Sequence, residues 1–374
     1  MPNLNWTSAS TIMKLASTSL LVFLYAWCLA QQKPDSTWLR KPDVAISGFI
    51  DAFYAYDFNR PNGDVRQGFL YNHNRHNEFN VNLALFSIAV EQKRYRAKVS
   101  LQAGTYANDN YSGESATLKN IFEASAGIAL DRKSKWWIDA GIMPSHLGFE
   151  SVISIDNLTL TRSLAAENSP YFLSGMRTTF TPNEAWKYTL WICNGWQRIQ
   201  RLQGNSLPGF GTGITYTDKA ENTYNWSTYI GSEVPDSLRR MRYFNNFYAQ
   251  FQLADGLKCI AGFDIGVQQK SNNSSAYEAW FVPTMITQFT LSKAWKCALR
   301  FEYYSDNKNV IIDPSIYPDF ETSAVSFNVD YSPIKNVACR VETRQFVATD
   351  EIFPQNGTTT NRDFFIAASI AVRL

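Results

Sequence analysis

Phe79-Asn80-Val81-Asn82-Leu83-Ala84-Leu85 and, one short turn later, Tyr95-Arg96-Ala97-Lys98-Val99-Ser100-Leu101-Gln102 decide how this chain is read. In the first stretch the odd positions are apolar and the even ones small or amide-bearing. In the second the even positions carry two cations, a hydroxyl and an amide. A period of two belongs to a strand whose successive side chains point to opposite faces. Each stretch therefore predicts a strand between an apolar medium and water, with Phe79, Val81, Leu83 and Leu85 on the apolar side. Helical spacing is nearly absent.

The pattern continues to the C-terminus. Sixteen runs begin near Val44, His76, Arg94, Asn120, Lys135, Phe172, Tyr188, Gly211, Thr223, Arg242, Leu257, Ala276, Ala294, Glu321, Asn336 and Asn361. Connections after even-numbered runs are short, such as Gln92-Lys93, Asp131–Lys135 and Ala254–Gly256. Those after odd-numbered runs are long, such as Asn59–Leu70, Ala107–Lys119, Pro144–Tyr171 and Asp306–Phe320. Short turns on one rim, long loops on the other and a final strand running to Leu374 predict an all-β transmembrane antiparallel barrel of sixteen strands. Trp136, Trp186 and Trp295 beside short turns, with Tyr106, Trp196 and Tyr304 beside long loops, predict two aromatic girdles. Cys259, Cys297 and Cys339 each open an odd-numbered run on the apolar parity. The strand between each pair sets a lateral spacing of about 10 Å, beyond the roughly 7 Å reach of a disulfide, so they are expected to stay free. A sandwich or propeller fits less well, because no blade repeat of about 40 residues is found.

Composition narrows the class. The chain has 374 residues, 35 basic against 33 acidic side chains and a net charge of +2, which disfavours nucleic acid as a partner. Charged residues make up 18% against about 25% in soluble domains, and no apolar run of about 18 residues follows the first thirty. Residues 1–30 read as a signal peptide: Lys14, the apolar run Leu20–Trp27, then Cys28-Leu29-Ala30 as a cleavage site. Met13 offers an alternative start. Residues 31–43 read as a periplasmic lead-in and residues 44–374 as the barrel.

Several motifs then resemble a known family. Gly48-Phe49-Ile50-Asp51-Ala52-Phe53-Tyr54-Ala55-Tyr56-Asp57-Phe58-Asn59, followed by Asn72-His73-Asn74-Arg75-His76-Asn77-Glu78-Phe79, is similar to the opening of the OmpL-like family of outer-membrane β-barrel porins. Asp139-Ala140-Gly141-Ile142-Met143-Pro144-Ser145-His146-Leu147-Gly148, Ala166-Glu167-Asn168-Ser169-Pro170-Tyr171 and Glu302-Tyr303-Tyr304-Ser305-Asp306 extend the likeness along the chain. The resemblance implies a porin-like channel in a gram-negative outer membrane and carries no assigned functional residues. The final Leu374 departs from the aromatic residue that often ends such barrels.

No catalytic, cofactor or metal site is expected. His73 and His76 stand at a strand–loop junction and read as polar rim residues. His146, beside Ser145 and Glu150, lacks the frame an acyl-transfer centre needs. Gly209-Phe210-Gly211-Thr212-Gly213 lacks a following Lys-Ser/Thr and enters a strand, so it is no phosphate loop. The arginines of Asp236–Arg242 read as a rim patch toward lipid head groups.

Alternation assigns Asp51, Arg96, Lys98, Gln102, Asp139, Asp264, Arg300, Glu302, Asp330, Arg340, Glu342, Arg344 and Arg373 to the lumen. The third long connection, residues 144–171, is too apolar to stand in water, with Leu147, Phe149, Val152, Ile153, Leu158, Leu160 and Leu164. It is expected to fold into the lumen, its acidic Glu150, Asp156 and Glu167 facing Arg300 and Arg344 across a constriction. The expected function is passive diffusion of ions and small polar solutes through a bacterial outer membrane. The expected partners are outer-membrane lipid and those solutes, with a homo-oligomer left open. The rival is an interaction barrel whose loops bind a partner while the lumen stays plugged.

Overall fold

The computed structural model describes residues 36–313 and 319–374, so the expected signal peptide lies outside the described residues. Of the lead-in, Ser36–Leu39 form one 3-10 turn.

Fifteen strands follow in order, from β1 (Asp43–Asp57), β2 (Glu78–Glu91) and β3 (Tyr95–Ala103) to β15 (Val337–Ala348). A two-stranded hairpin, β16 (Phe353–Gln355) and β17 (Thr358–Thr360), sits in the last long loop, and β18 (Arg362–Arg373) ends the fold. Every barrel strand pairs antiparallel with its neighbour, and β18 bridges β15 and β1, closing a sixteen-stranded barrel. The observed starts fall within two residues of the expected ones; β2 begins at Glu78 and β7 at Trp186. Closure leaves no unpaired edge, which a bilayer cannot hydrate.

Burial alternates along each strand, as β13 (Trp295–Asp306) shows. Phe301 is 51% exposed on the outer face, whereas Arg300 and Glu302 beside it are buried on the inner one. Trp136, Trp186 and Trp295 stand exposed at the short-turn ends, as a girdle requires. The loop-side girdle is corrected. Tyr106 and Tyr304 are buried, and Trp196 packs edge-on against Phe244 and Trp280 inside the barrel. Exposed Phe210, Tyr243, Tyr277 and Phe281 form the outer aromatic surface at that end.

A second correction concerns β2. Asp51 pairs with Leu83 but Ala52 with Val81, so Asn82 is an extra residue in the ladder. One inserted residue reverses inside and outside beyond it. Phe79 therefore faces outward at 88% exposure, while Leu83 and Leu85 turn inward and Phe86 and Ile88 outward. Leu83 belongs to a buried cluster with Tyr106, Tyr111 and Phe172, not to the lipid face.

The cysteines Cys193, Cys259, Cys297 and Cys339 are all free. Cys193 points inward, its Sγ 3.8 Å from the carbonyl oxygen of Gly195. The other three keep the outward parity, and the Thr287 hydroxyl sits 3.8 Å from the Sγ of Cys259.

Candidate functional site

The lumen at the loop end is filled with side chains. Phe53, Trp191, Trp280, Phe346 and Phe365 from the wall pack with Leu147, Leu160 and Leu164 of residues 145–171 in one buried cluster. Full burial of a leucine is worth about 1.5–3 kcal/mol, so these three hold the segment firmly. The wall makes room with glycines on its inner parity. A Cβ at Gly211 of β8 (Gly209–Thr217) would stand 2.5 Å from the His146 ring, and one at Gly262 of β11 (Leu257–Gln269) 2.3 Å from the Phe149 ring.

Polar groups then dock the segment on β13, β14 (Phe320–Ile334) and β15. Arg300 donates from Nη1 to Thr159 Oγ1 at 2.8 Å and to the Thr161 carbonyl at 2.6 Å, and from Nη2 to Thr161 Oγ1 at 3.0 Å and Glu342 at 2.7 Å. The Thr161 backbone N–H and hydroxyl both donate to Glu342, and the Leu164 N–H donates to Glu302. Arg344 pairs with Glu302 and donates to the Arg162 carbonyl at 3.0 Å. Arg340 pairs with Asp330 at 2.7 Å and reaches the Ser154 and Asn157 carbonyls. Asp264 accepts from Asn246, whose Oδ1 in turn accepts the Gly148 N–H at 3.1 Å. Lower down, Arg373 of β18 pairs with Asp156 at 2.7 Å. Among the described residues, no backbone–backbone hydrogen bond joins residues 146–170 to the wall.

This corrects the expected constriction. Asp264, Arg300, Glu302, Arg340, Glu342 and Arg344 lie on the inner face, yet each is at most 6% exposed and none faces open water. The charges of Arg300, Glu302, Arg340, Glu342 and Arg344 are compensated within the wall, Asp264 is met by the neutral Asn246 amide, and the arginines touch neutral oxygens of the segment directly. Glu150 turns back to accept from Ser163, and Glu167 accepts from the Tyr71 N–H and from Asn72 near β2. No acidic surface faces a basic one across a gap. Burial pushes the Glu167 carboxyl above its usual range and the His146 imidazole down to about 4.

The water-facing inner cations lie toward the turn end, paired with two buried carboxylates. Arg96 and Arg177 flank Asp139 at 2.6 and 3.2 Å, and Lys98 pairs with Glu123 at 2.8 Å. Arg96 and Lys98 keep side-chain exposures of 34% and 42%, and Lys187 stands exposed on the same inner parity. Alternation had placed Arg96, Lys98 and Asp139 there; Glu123, Arg177 and Lys187 belong to the same set and were missed.

The histidines are also re-placed. His73 is buried, with Nε2 3.0 Å from Asp51, and His76 Nδ1 accepts the Asp57 N–H at 3.0 Å, so both tie the first long loop inside the barrel. Ser145 accepts the Leu147 N–H, and His146 Nε2 sits 3.0 Å from the Thr228 carbonyl oxygen. Arg242, expected on the rim, is 7% exposed and points inward.

Two cavities flank the docked segment. One of about 270 Å³ opens at the turn end beside Glu150, Asp156, Gln250 and Lys258. The other, of about 290 Å³, opens among the long loops beside Trp196, Arg198, Arg242 and Glu167. Their linings share no residue.

A closed sixteen-stranded barrel with short turns, long loops and a third loop packed across its lumen is the architecture of a porin of the bacterial outer membrane. A sequence profile of the family described as "Putative beta-barrel porin-2, OmpL-like" matches residues 43–374, and the chain belongs to that family. Among solved structures it is similar to an anion-selective porin from Comamonas acidovorans, at 8% identity and TM-score 0.61, covering 89% of this chain and 100% of that one. It is likewise similar to the outer-membrane channel DcaP of Acinetobacter baumannii, at 11% identity and TM-score 0.59, covering 89% and 98%. A third is the trimer form of OmpT, an outer-membrane protein of Vibrio cholerae, at 7% identity and TM-score 0.60, covering 90% and 100%. At such identities the likeness carries the fold alone. No curated protein sequence matches the chain.

Proposed function

We propose that the protein is a passive channel for ions and small polar solutes, with residues 145–171 as its occluding element. The observation that carries this reading is the way the segment is held. Side chains, not a backbone ladder, bind it to the wall, and solvent-open cavities lie on both sides of it. Such a segment leaves without breaking the barrel. Solutes then pass between the loop-end cavity and the turn-end wall of Arg96, Lys98, Arg177 and Lys187, with no covalent step. Association of several barrels is part of this proposal, since a solved neighbour is described in a trimer form. Single-channel recordings of the folded full-length chain in planar bilayers test it. Discrete conductance steps are expected, with a reversal potential in a salt gradient reporting ion preference. A folded, inserted barrel that never conducts refutes the channel.

A second reading is favoured by the buried cluster itself, which makes the interior a core at the loop end. It is an interaction barrel whose loops bind a partner while the lumen stays closed. The same recordings separate the two, because that barrel stays silent.

A further inference from the structure

We infer that the loop-end cavity is a binding site for a small hydroxylated carboxylate, an organic acid of the sugar-acid type. Its walls hold two guanidinium groups that make no ion pair among the described residues. Arg242 is 93% buried, because its relative exposure is 7%. Its Nε and Nη2 donate to the neutral Gln268 Oε1 at 3.0 and 2.8 Å, and Nη2 reaches the Val310 carbonyl at 3.4 Å. Among the described residues Nη1 makes no hydrogen bond and no carboxylate lies within ion-pair distance. Glu233 and Asp306 lie near enough to act on this charge but do not pair with it, and a buried cation without a direct anionic partner is a costly arrangement that a ligand carboxylate relieves. Arg198, across the cavity, makes no ion pair or side-chain hydrogen bond among the described residues; its Nη1 rests over Gly113.

The two carboxylates in the lining are already committed. Glu114 accepts the N–H groups of Ile199 and Gln200 at 2.8 and 3.3 Å. Glu167 accepts from the Tyr71 N–H, the Asn72 amide and the Tyr171 hydroxyl at 2.9, 3.2 and 3.2 Å. The charged donors left free in the cavity are therefore those of the two guanidiniums, which favour an anionic oxygen placed between them. A planar guanidinium matches a carboxylate with two parallel N–H bonds.

Two further features shape the ligand. Asn110, a lining residue, keeps its Oδ1 buried with no hydrogen-bond partner, so a turn of the side chain toward the cavity would offer it a hydroxyl or N–H donor of the ligand. Trp196 offers a ring face, and its indole is fixed by packing on Phe244 and by the Arg242 guanidinium 5.2 Å above it. The volume, about 290 Å³, equals roughly ten water molecules at about 30 Å³ each. That suits a single six-carbon acid and excludes a chain of sugars. The floor is Glu167 and Asn168 of the occluding segment, so the ligand would rest directly on the element that closes the lumen.

Binding needs no open path, so the site stands or falls separately from conduction. The test is titration calorimetry on the folded full-length chain in detergent, with gluconate as probe, glucose as its uncharged counterpart and inorganic phosphate as an anion without carbons. Gluconate is expected to bind, glucose to bind at least about tenfold more weakly, and Arg242→Gln to weaken gluconate by about tenfold or more, as loss of a hydrogen bond to a charged group does. Arg198→Gln is expected to weaken it severalfold and needs no refolding of the interior, which keeps the test decisive if Arg242→Gln fails to fold. Arg201→Gln, on the loop surface, should leave the affinity unchanged. Gluconate binding no tighter than glucose, affinity untouched by Arg198→Gln, or phosphate binding as tightly as gluconate would each overturn the assignment.

Discussion

Replacing Thr159 and Thr161 together by alanine is expected to open the barrel without damaging its wall. Both hydroxyls are buried against Arg300, and Thr161 Oγ1 also donates to Glu342 at 2.8 Å. The double variant deletes these three hydrogen bonds to charged groups and a fourth, long one from Arg344 Nη1 to Thr161 Oγ1 at 3.5 Å, while Arg300, Glu302, Glu342 and Arg344 keep their mutual ion pairs. Bonds to charged groups contribute about 1.5–3 kcal/mol each. Even two of them at the low end, about 3 kcal/mol, shift a two-state equilibrium by about a hundredfold. The open probability of single channels in a planar bilayer reads that shift directly. It should rise by about one to two orders of magnitude, with the open-state conductance unchanged. Heat-modifiable gel mobility confirms that the barrel is folded. If open probability stays within about twofold of wild type in a folded barrel, the threonine contacts do not hold the segment and the reasoning fails.

Deleting Ser154–Ala165 should raise conductance outright, and an unchanged value in a folded barrel would put the segment outside the path. Phe301→Arg, on the exposed outer face, should cost about 2–4 kcal/mol in urea titrations in lipid, whereas Leu83→Ala, in the interior cluster, should cost about 2–5 kcal/mol through a cavity. An equal cost in detergent and bilayer for Phe301→Arg would contradict its lipid-facing placement. His146 is held neutral by burial, its pKa down to about 4, against about 6.5 when released. Its contribution to docking is complete above the released value and fades as pH falls toward 4, so acid should favour opening through this group. Glu167, with its pKa raised by burial, acts in the opposite direction, so the readout is the difference between wild type and His146→Gln, which should lose the acid-induced component. Reductant should leave gel mobility unchanged, since Cys193, Cys259, Cys297 and Cys339 are free; a shift traced to Cys259 and Cys297 would contradict the strand between them.

Strand positions were legible because a half-wet strand writes its two environments into alternate residues. The face of Leu83 was not, since the extra residue Asn82 reverses the parity and nothing in its identity announces a bulge. Nor does alternation say whether an inner face is wet. Arg300 and Arg96 share the inner parity, but one is sealed under Thr159 and Thr161 from 139 or more residues away and the other faces solvent. Trp196 and Tyr304 were read as girdle residues for the same reason: position along a strand does not tell a lipid-facing ring from one filling the interior. Arg242 looked like surface charge because it ends a run of arginines, and only the strand register turns it inward.

The docked segment also bears on how the molecule is built. Thr161 meets Glu342, 181 residues later, and Leu164 meets Glu302, 138 residues later. A chain that has laid down only its first twelve strands lacks Asn328 and Glu302, the side chains that seat the Leu160 and Leu164 N–H groups. The strands that provide their seat are the ones that carry the chain round to meet β1. Contacts of such sequence separation form late, because closing a long loop costs entropy before any contact repays it. Sealing the seam and filling the interior thus belong to one final step of assembly, and a half-built barrel is leakier than the finished one.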